Sequence, residues 1–150
     1  MYELWLAIHI VCAVIWVGGG VSVHVLARMY AKSGDPVARM DFNRRAVAIG
    51  NRLYAPLAIV LIVAGVLLVE EVGYDYGSLW IALGFLGWIV SVAVGIGFYP
   101  RERNRIDAAA DAGGPDAAGA LAGMRRVLFV NSIEIVILLL VVVDMAVKPG

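Results

Sequence analysis

Leu4 to Ala27 is a run of twenty-four residues without a single Asp, Glu, Lys or Arg. At about 1.5 Å of rise per residue, such a run is long enough as a helix to cross a hydrocarbon core of about 30 Å. In lipid every backbone polar group must be satisfied internally, so only helices and closed barrels span a membrane. Three further apolar runs follow, at about 53–69, 79–99 and 127–147. With 62% hydrophobic residues and a mean hydropathy of +0.88, a chain of 150 residues has no soluble core large enough to hide all four. The expectation is an all-α integral membrane four-helix bundle, a single transmembrane domain over 1–150 whose first partner is the lipid bilayer. No basic segment precedes the first run and no Ala-x-Ala site follows it, so it is read as retained and not as a cleaved signal peptide. The lone Cys12 lies inside this run, which excludes an intramolecular disulfide and a cysteine-based metal cluster.

The connecting segments carry the charge. Residues 28–52 hold Arg28, Lys32, Arg39, Arg44, Arg45 and Arg52. Ser33-Gly34 breaks the first helix there, and Asp35 can cap a new one with Pro36 at its first position. Met40, Val47 and Leu53 alternate with the arginines, the pattern of an amphipathic lead-in at the membrane surface. Pro56 predicts a kink near the start of the second span, and Gly65 a point of close helix contact. Residues 70–78 are acidic, and Tyr74, Tyr76 and Trp80 read as an interfacial aromatic belt. Gly87, Ser91 and Gly95 form a small-residue stripe in the third span, which Pro100 is expected to end. Residues 100–126 have arginines at both ends around DAAADAGGPDAAGALAG, read either as a mobile segment or as a short alanine helix, interrupted at Gly113-Gly114-Pro115. The chain closes on Lys148-Pro149-Gly150. Six basic residues in 28–52 and five in 100–126, against Lys148 alone elsewhere, predict that these two segments are cytoplasmic loops and that both termini face outward.

Ionisable side chains inside a span are costly and therefore candidates for function. The first span holds the chain's two histidines, His9 and His24. At 100° per residue, His9, Ala13, Trp16 and Gly20 share one face, which combines a possible ligand, a large aromatic and a small residue. The fourth span holds Asn131, Ser132, Glu134 and Asp144. Counting helical rise from the basic ends places His24 within reach of Glu134, and His9 near the level of Asp144. Two acid–histidine pairs, one per leaflet, are geometrically possible on that basis, each carboxylate orienting an imidazole. The plainer alternative keeps His24 and Asp144 at the interface, with Glu134 joining helices by hydrogen bonds and His9 and Trp16 packing. The histidines are about 22 Å apart along one helix, too far to hold the same metal.

His9-x6-Trp16-x-Gly18, Arg44-Arg45, Pro56-x8-Gly65 and Asn131 ahead of the closing Lys148-Pro149 resemble the HemJ/CopD-like superfamily of four-helix bacterial membrane proteins. HemJ-type proteins are protoporphyrinogen oxidases, and CopD-type domains are implicated in copper resistance. The resemblance covers nearly the whole chain. It implies a bacterial cytoplasmic (inner) membrane protein with haem b in the bundle and His9 as an axial ligand. The third span has no Lys where the HemJ type has an essential one, so the chain looks most like the branch of unassigned function.

Three readings of function follow. In the first, a redox or haem-handling protein binds haem through His9, with Trp16 and Gly20 shaping the pocket and a second ligand from Met, water or a partner chain. In the second, Glu134, His24 and Asn131 line a small-ion, proton or copper pathway. In the third, the small-residue stripes pack this chain as a non-catalytic subunit into a homo-oligomer or a larger membrane complex. Catalytic residues are not identifiable in the sequence, and nucleic-acid binding has no support, because membrane topology accounts for the basic residues.

Overall fold

The computed structural model describes residues 1–148. Among the described residues there is no strand, and four continuous helices are long and apolar enough to cross a membrane: Tyr2–Lys32, Pro36–Val72, Leu79–Gly113 and Ala118–Val147. The second and third are each divided by a π-helical turn. The elements are therefore α1 (Tyr2–Lys32), α2 (Pro36–Ile49), α3 (Ala55–Val72), α4 (Leu79–Ala93), α5 (Tyr99–Gly113) and α6 (Ala118–Val147), with π turns at Gly50–Tyr54 and Val94–Phe98. Large apolar side chains such as Ile10, Val14, Val63, Leu86 and Leu140 point outward. In water so much exposed apolar surface would drive aggregation; in a bilayer it is the solvated face.

Each spanning helix packs on its neighbours in the chain. α1 lies along α3, α6 lies along α4, and α1 also packs on α6. The remaining side is joined where Trp88 Nε1 donates to the Ala58 carbonyl at 2.9 Å. Lipid supplies no hydrophobic drive between helices, so close packing of small residues must hold them. On the α4–α6 contact Gly84 faces Met145, Gly87 faces Val141, and Ser91 is buried. The working stripe is thus Gly84, Gly87 and Ser91. Gly95, which the sequence pattern included, has nothing within 4 Å of where a Cβ would stand.

Two expectations about the arginine-rich end are corrected. Pro100 does not end the third helix, which continues through it to Gly113. Proline has no N–H and its ring collides with the carbonyl four residues back. Here the preceding residue moves out of α register: Tyr99 N–H bonds to the Val94 carbonyl, five residues back, and the wider turn admits the ring. The same solution stands before Pro56, where Ala55 N–H bonds to the Gly50 carbonyl. In both cases one further carbonyl, of Asn51 and of Gly95, loses its helical donor.

The alanine- and glycine-rich segment is not an irregular loop but is helical on both sides of its turn. Residues 100–126 form a helical hairpin of α5 and the first turns of α6, turning at Gly114 (φ 83°) and Pro115. Small residues let the two helices close on each other: Gly119 faces Ala109, and Gly123 faces Ile106. Ile106, Ala120, Met124 and Met40 of α2 form a buried cluster. α2 starts as its sequence suggests, with Asp35 accepting from the N–H groups of Val37 (2.9 Å) and Ala38 (3.0 Å). It docks on the hairpin through Arg39–Asp116 (2.8 Å) and Arg44–Asp107 (3.3 Å).

At the opposite end Gly73 (φ 76°) closes α3 in a left-handed conformation that favours glycine. Tyr74 and Trp80 meet edge to face, and Lys148 Nζ donates to the Tyr74 hydroxyl at 2.9 Å. The Met1 amino group pairs with Glu71 at 2.8 Å. Of the closing Lys148-Pro149-Gly150, Pro149 and Gly150 lie outside the described residues.

Candidate functional site

Polar side chains from three helices meet in the arginine-rich half of the bundle. His24 is brought in by α1, Asn131, Ser132 and Glu134 by α6, and Tyr99 by the first residue of α5. His24 Nδ1 is 2.9 Å from Asn131 Oδ1. Asn131 Nδ2 donates to the Tyr99 hydroxyl at 3.3 Å, and Tyr99 donates to Glu134 Oε2 at 2.6 Å. The carboxyl of Glu134 also faces Ser91 of α4, whose buried Oγ makes no well-formed hydrogen bond among the described residues. The π turn is what delivers Tyr99. One extra residue before Pro100 re-registers the helix just where the tyrosine must meet α6.

Hydrogen-bond chemistry gives the string a direction. Asn131 Oδ1 is an acceptor, so His24 Nδ1 carries a proton, and each later bond donates toward Glu134. The other imidazole nitrogen, Nε2, is 3.4 Å from Ser132 Oγ, which also lies 2.8 Å from the Leu128 carbonyl. A hydroxyl has one proton. When Ser132 donates to Leu128, its oxygen accepts from Nε2–H and suits the imidazolium; when it turns to Nε2, it suits the neutral ring. Ser132 can therefore meet Nε2 either as donor or as acceptor. Asn131, by contrast, cannot relay a proton without leaving its amide form, so the string is two titratable ends joined by a neutral link.

The sequence-based pairing of residues is corrected here. His24 is bonded to Asn131 and not to Glu134, which takes Tyr99 instead. His9 is bonded not to Asp144 but to the backbone: Nδ1 lies 3.1 Å from the Leu61 carbonyl. That carbonyl can only accept, so Nδ1 bears the proton and Nε2 keeps its lone pair. Gly65 eases the approach, since a Cβ there would stand in tight contact, 3.2 Å from His9 Cε1. Trp16 on the same face is buried. Gly20 is half-buried, and a Cβ on it would meet nothing within 4 Å. Asp144 Oδ2 is buried without a hydrogen-bond partner among the described residues. Nowhere among these do three or more His, Cys, Asp or Glu side chains gather as a metal site.

Two contributors were not singled out from the sequence. Tyr99 carries a single signal in the sequence, its place between an apolar run and Pro100. Glu102 is the other: only 2% exposed, it accepts from Arg126 Nε at 3.0 Å and from Arg105 Nη1 at 3.5 Å. A single carboxylate inside the run RERNR was the available clue. Bonding to Arg126 holds its carboxyl below the usual carboxylate range. This pair ties α5 to α6 just beyond the polar string.

Comparison with known proteins places the chain in a family. Residues 3–149 match the model of DUF2269, described as a predicted integral membrane protein, and the chain belongs to that family. No curated protein and no solved structure matches it.

Proposed function

We propose that this DUF2269 member handles protons or small cations in the membrane, with Glu134–Tyr99 and His24 as its two titratable ends. The observation that carries the reading is the continuous string His24–Asn131–Tyr99–Glu134 across three helices. A carboxyl and an imidazole are expensive inside a span, and uncharged amides and hydroxyls would join helices as well. Because Asn131 blocks direct transfer, each end exchanges its proton or cation through water, and the string couples the charge of one end to that of the other. The charge bias favours the cytoplasmic half of the membrane for this site, with both termini outside, and the resemblance to HemJ/CopD-like proteins favours a bacterial inner membrane. The test is proton flux into liposomes containing the purified protein, followed with an entrapped pH dye. Glu134→Gln should lower the flux at least tenfold and His24→Gln should lower it less. A Glu134→Gln protein with wild-type flux would overturn the reading.

A second reading rests on His9. Its Nδ1–H is held by a backbone carbonyl, the arrangement that orients an imidazole for metal binding through Nε2. The residues fit one axial position of haem b, as the resemblance to HemJ-type proteins implies, and a second chain in a homo-oligomer or larger complex would supply another. An absorption spectrum of the purified protein beside His9→Ala separates the readings. A Soret band lost in the variant supports haem, and a colourless wild type after haem-supplemented expression rejects it.

A further inference from the structure

The helix running from α4 into α5 carries an outward-open groove of about 440 Å³. Val90, Val94, Gly97 and Phe98 line its apolar length, and Arg101 and Arg105 stand at its arginine-rich end. The groove follows from the π turn at Val94–Phe98, where the helix widens and Gly97 contributes no side chain. Arg101 Nη1 donates to the Gly97 carbonyl at 2.9 Å, which lays the guanidinium along the groove and leaves its other N–H groups for a ligand. The acid that would repel an anion here, Glu102, is buried and already engaged by Arg126 and Arg105.

We propose that this groove holds one anionic glycerophospholipid, with an acyl chain along Val90, Val94 and Phe98 and the phosphate on Arg101 and Arg105. Length and charge both favour that occupant. Val90 and Arg101 are eleven residues apart, about 16 Å of helical rise, or roughly half a hydrocarbon core of about 30 Å. One leaflet's acyl chain spans that distance and brings its headgroup to the arginines. Paired guanidinium groups suit phosphate geometry.

The experiment is native mass spectrometry of the full-length, delipidated protein titrated with phosphatidylglycerol or phosphatidylcholine of identical chains. One phosphatidylglycerol per chain should be retained at least fivefold more strongly than phosphatidylcholine. Arg101→Gln with Arg105→Gln should abolish that preference, and Gly97→Leu, which fills the groove, should weaken both lipids. Should Gly97→Leu fail to fold, Val94→Phe serves the same purpose. Arg103→Gln makes the same kind of charge change at a residue paired with Asp107 and not lining the groove, and should leave retention unchanged. An equal loss in Arg103→Gln would reduce the effect to diffuse attraction and overturn the proposal. So would unchanged binding in the groove-filling variant, or displacement of the lipid by inorganic phosphate.

Discussion

Replacing Tyr99 by Phe removes one oxygen and two of the string's bonds, the 2.6 Å bond to Glu134 and the 3.3 Å bond from Asn131. Interhelical hydrogen bonds in membrane proteins contribute about 0.6 kcal/mol on average and about 1.7 kcal/mol at most. A short bond to a carboxyl belongs at the upper end of that range, and a 3.3 Å amide bond adds little. Tyr99→Phe should therefore cost about 1.5–2 kcal/mol. Glu134→Leu breaks the same short bond from its other side. If that bond is the principal link between the two residues, the double variant should recover about 1.5 kcal/mol relative to the sum of the single changes. Equilibrium unfolding in mixed detergent–SDS micelles, run on all four proteins, gives the coupling directly. Single effects that simply add, within about 0.3–0.5 kcal/mol, would show that Tyr99 and Glu134 act independently and would refute the string as a unit.

Other outcomes follow from the packing and the ion pairs. Gly87→Ala should destabilise the protein by about 1–3 kcal/mol, because the new Cβ meets the stiff, β-branched Val141. Gly84→Ala should cost less in the same unfolding assay, since the atom it meets is the flexible end of Met145. Asp35→Ala removes two cap bonds at the start of α2 and should cost about 1 kcal/mol, read as a lower thermal midpoint. The Glu102 carboxyl is lowered on folding, so its contribution is whole at neutral pH and starts to fall as pH drops below the ordinary 4.5. It is lost once pH passes the depressed folded value. The stability difference between wild type and Glu102→Gln should therefore shrink on acidification below about pH 4.5, and a difference independent of pH would contradict the pairing.

The positions of the polar residues were legible one by one, but their partners were not. His24, Asn131 and Glu134 stood out because an apolar run makes any ionisable or amide side chain conspicuous. Rise along a helix gives depth, and depth alone suggested a His24–Glu134 contact. Which side chains meet also depends on how each helix is rotated about its axis. A small shift placed Asn131 against the histidine and left Glu134 to Tyr99. His9 shows the same limit from another side. Its partner is the Leu61 carbonyl, a backbone atom that every residue possesses and no sequence pattern marks, reached because Gly65 leaves room.

Pro100 and the alanine-rich hairpin depart from their sequence pattern for a related reason. A proline ends or kinks a helix unless the chain changes register just before it, and that depends on what the altered register gains elsewhere. Here it gains the Tyr99–Glu134 bond. Glycines and a proline among short alanine runs read as weak structure, yet these small residues become a close contact surface once a second helix lies on them. Sequence by itself determined the class of this protein, because the length and apolarity of four runs admit only spanning helices in lipid. It also determined the caps and breaks that depend on a few neighbouring residues, such as Asp35-Pro36 and Gly114-Pro115. Only the tertiary structure decided the helix rotations, the two π turns and the hydrogen-bond string, since these are set by packing between residues far apart in the chain.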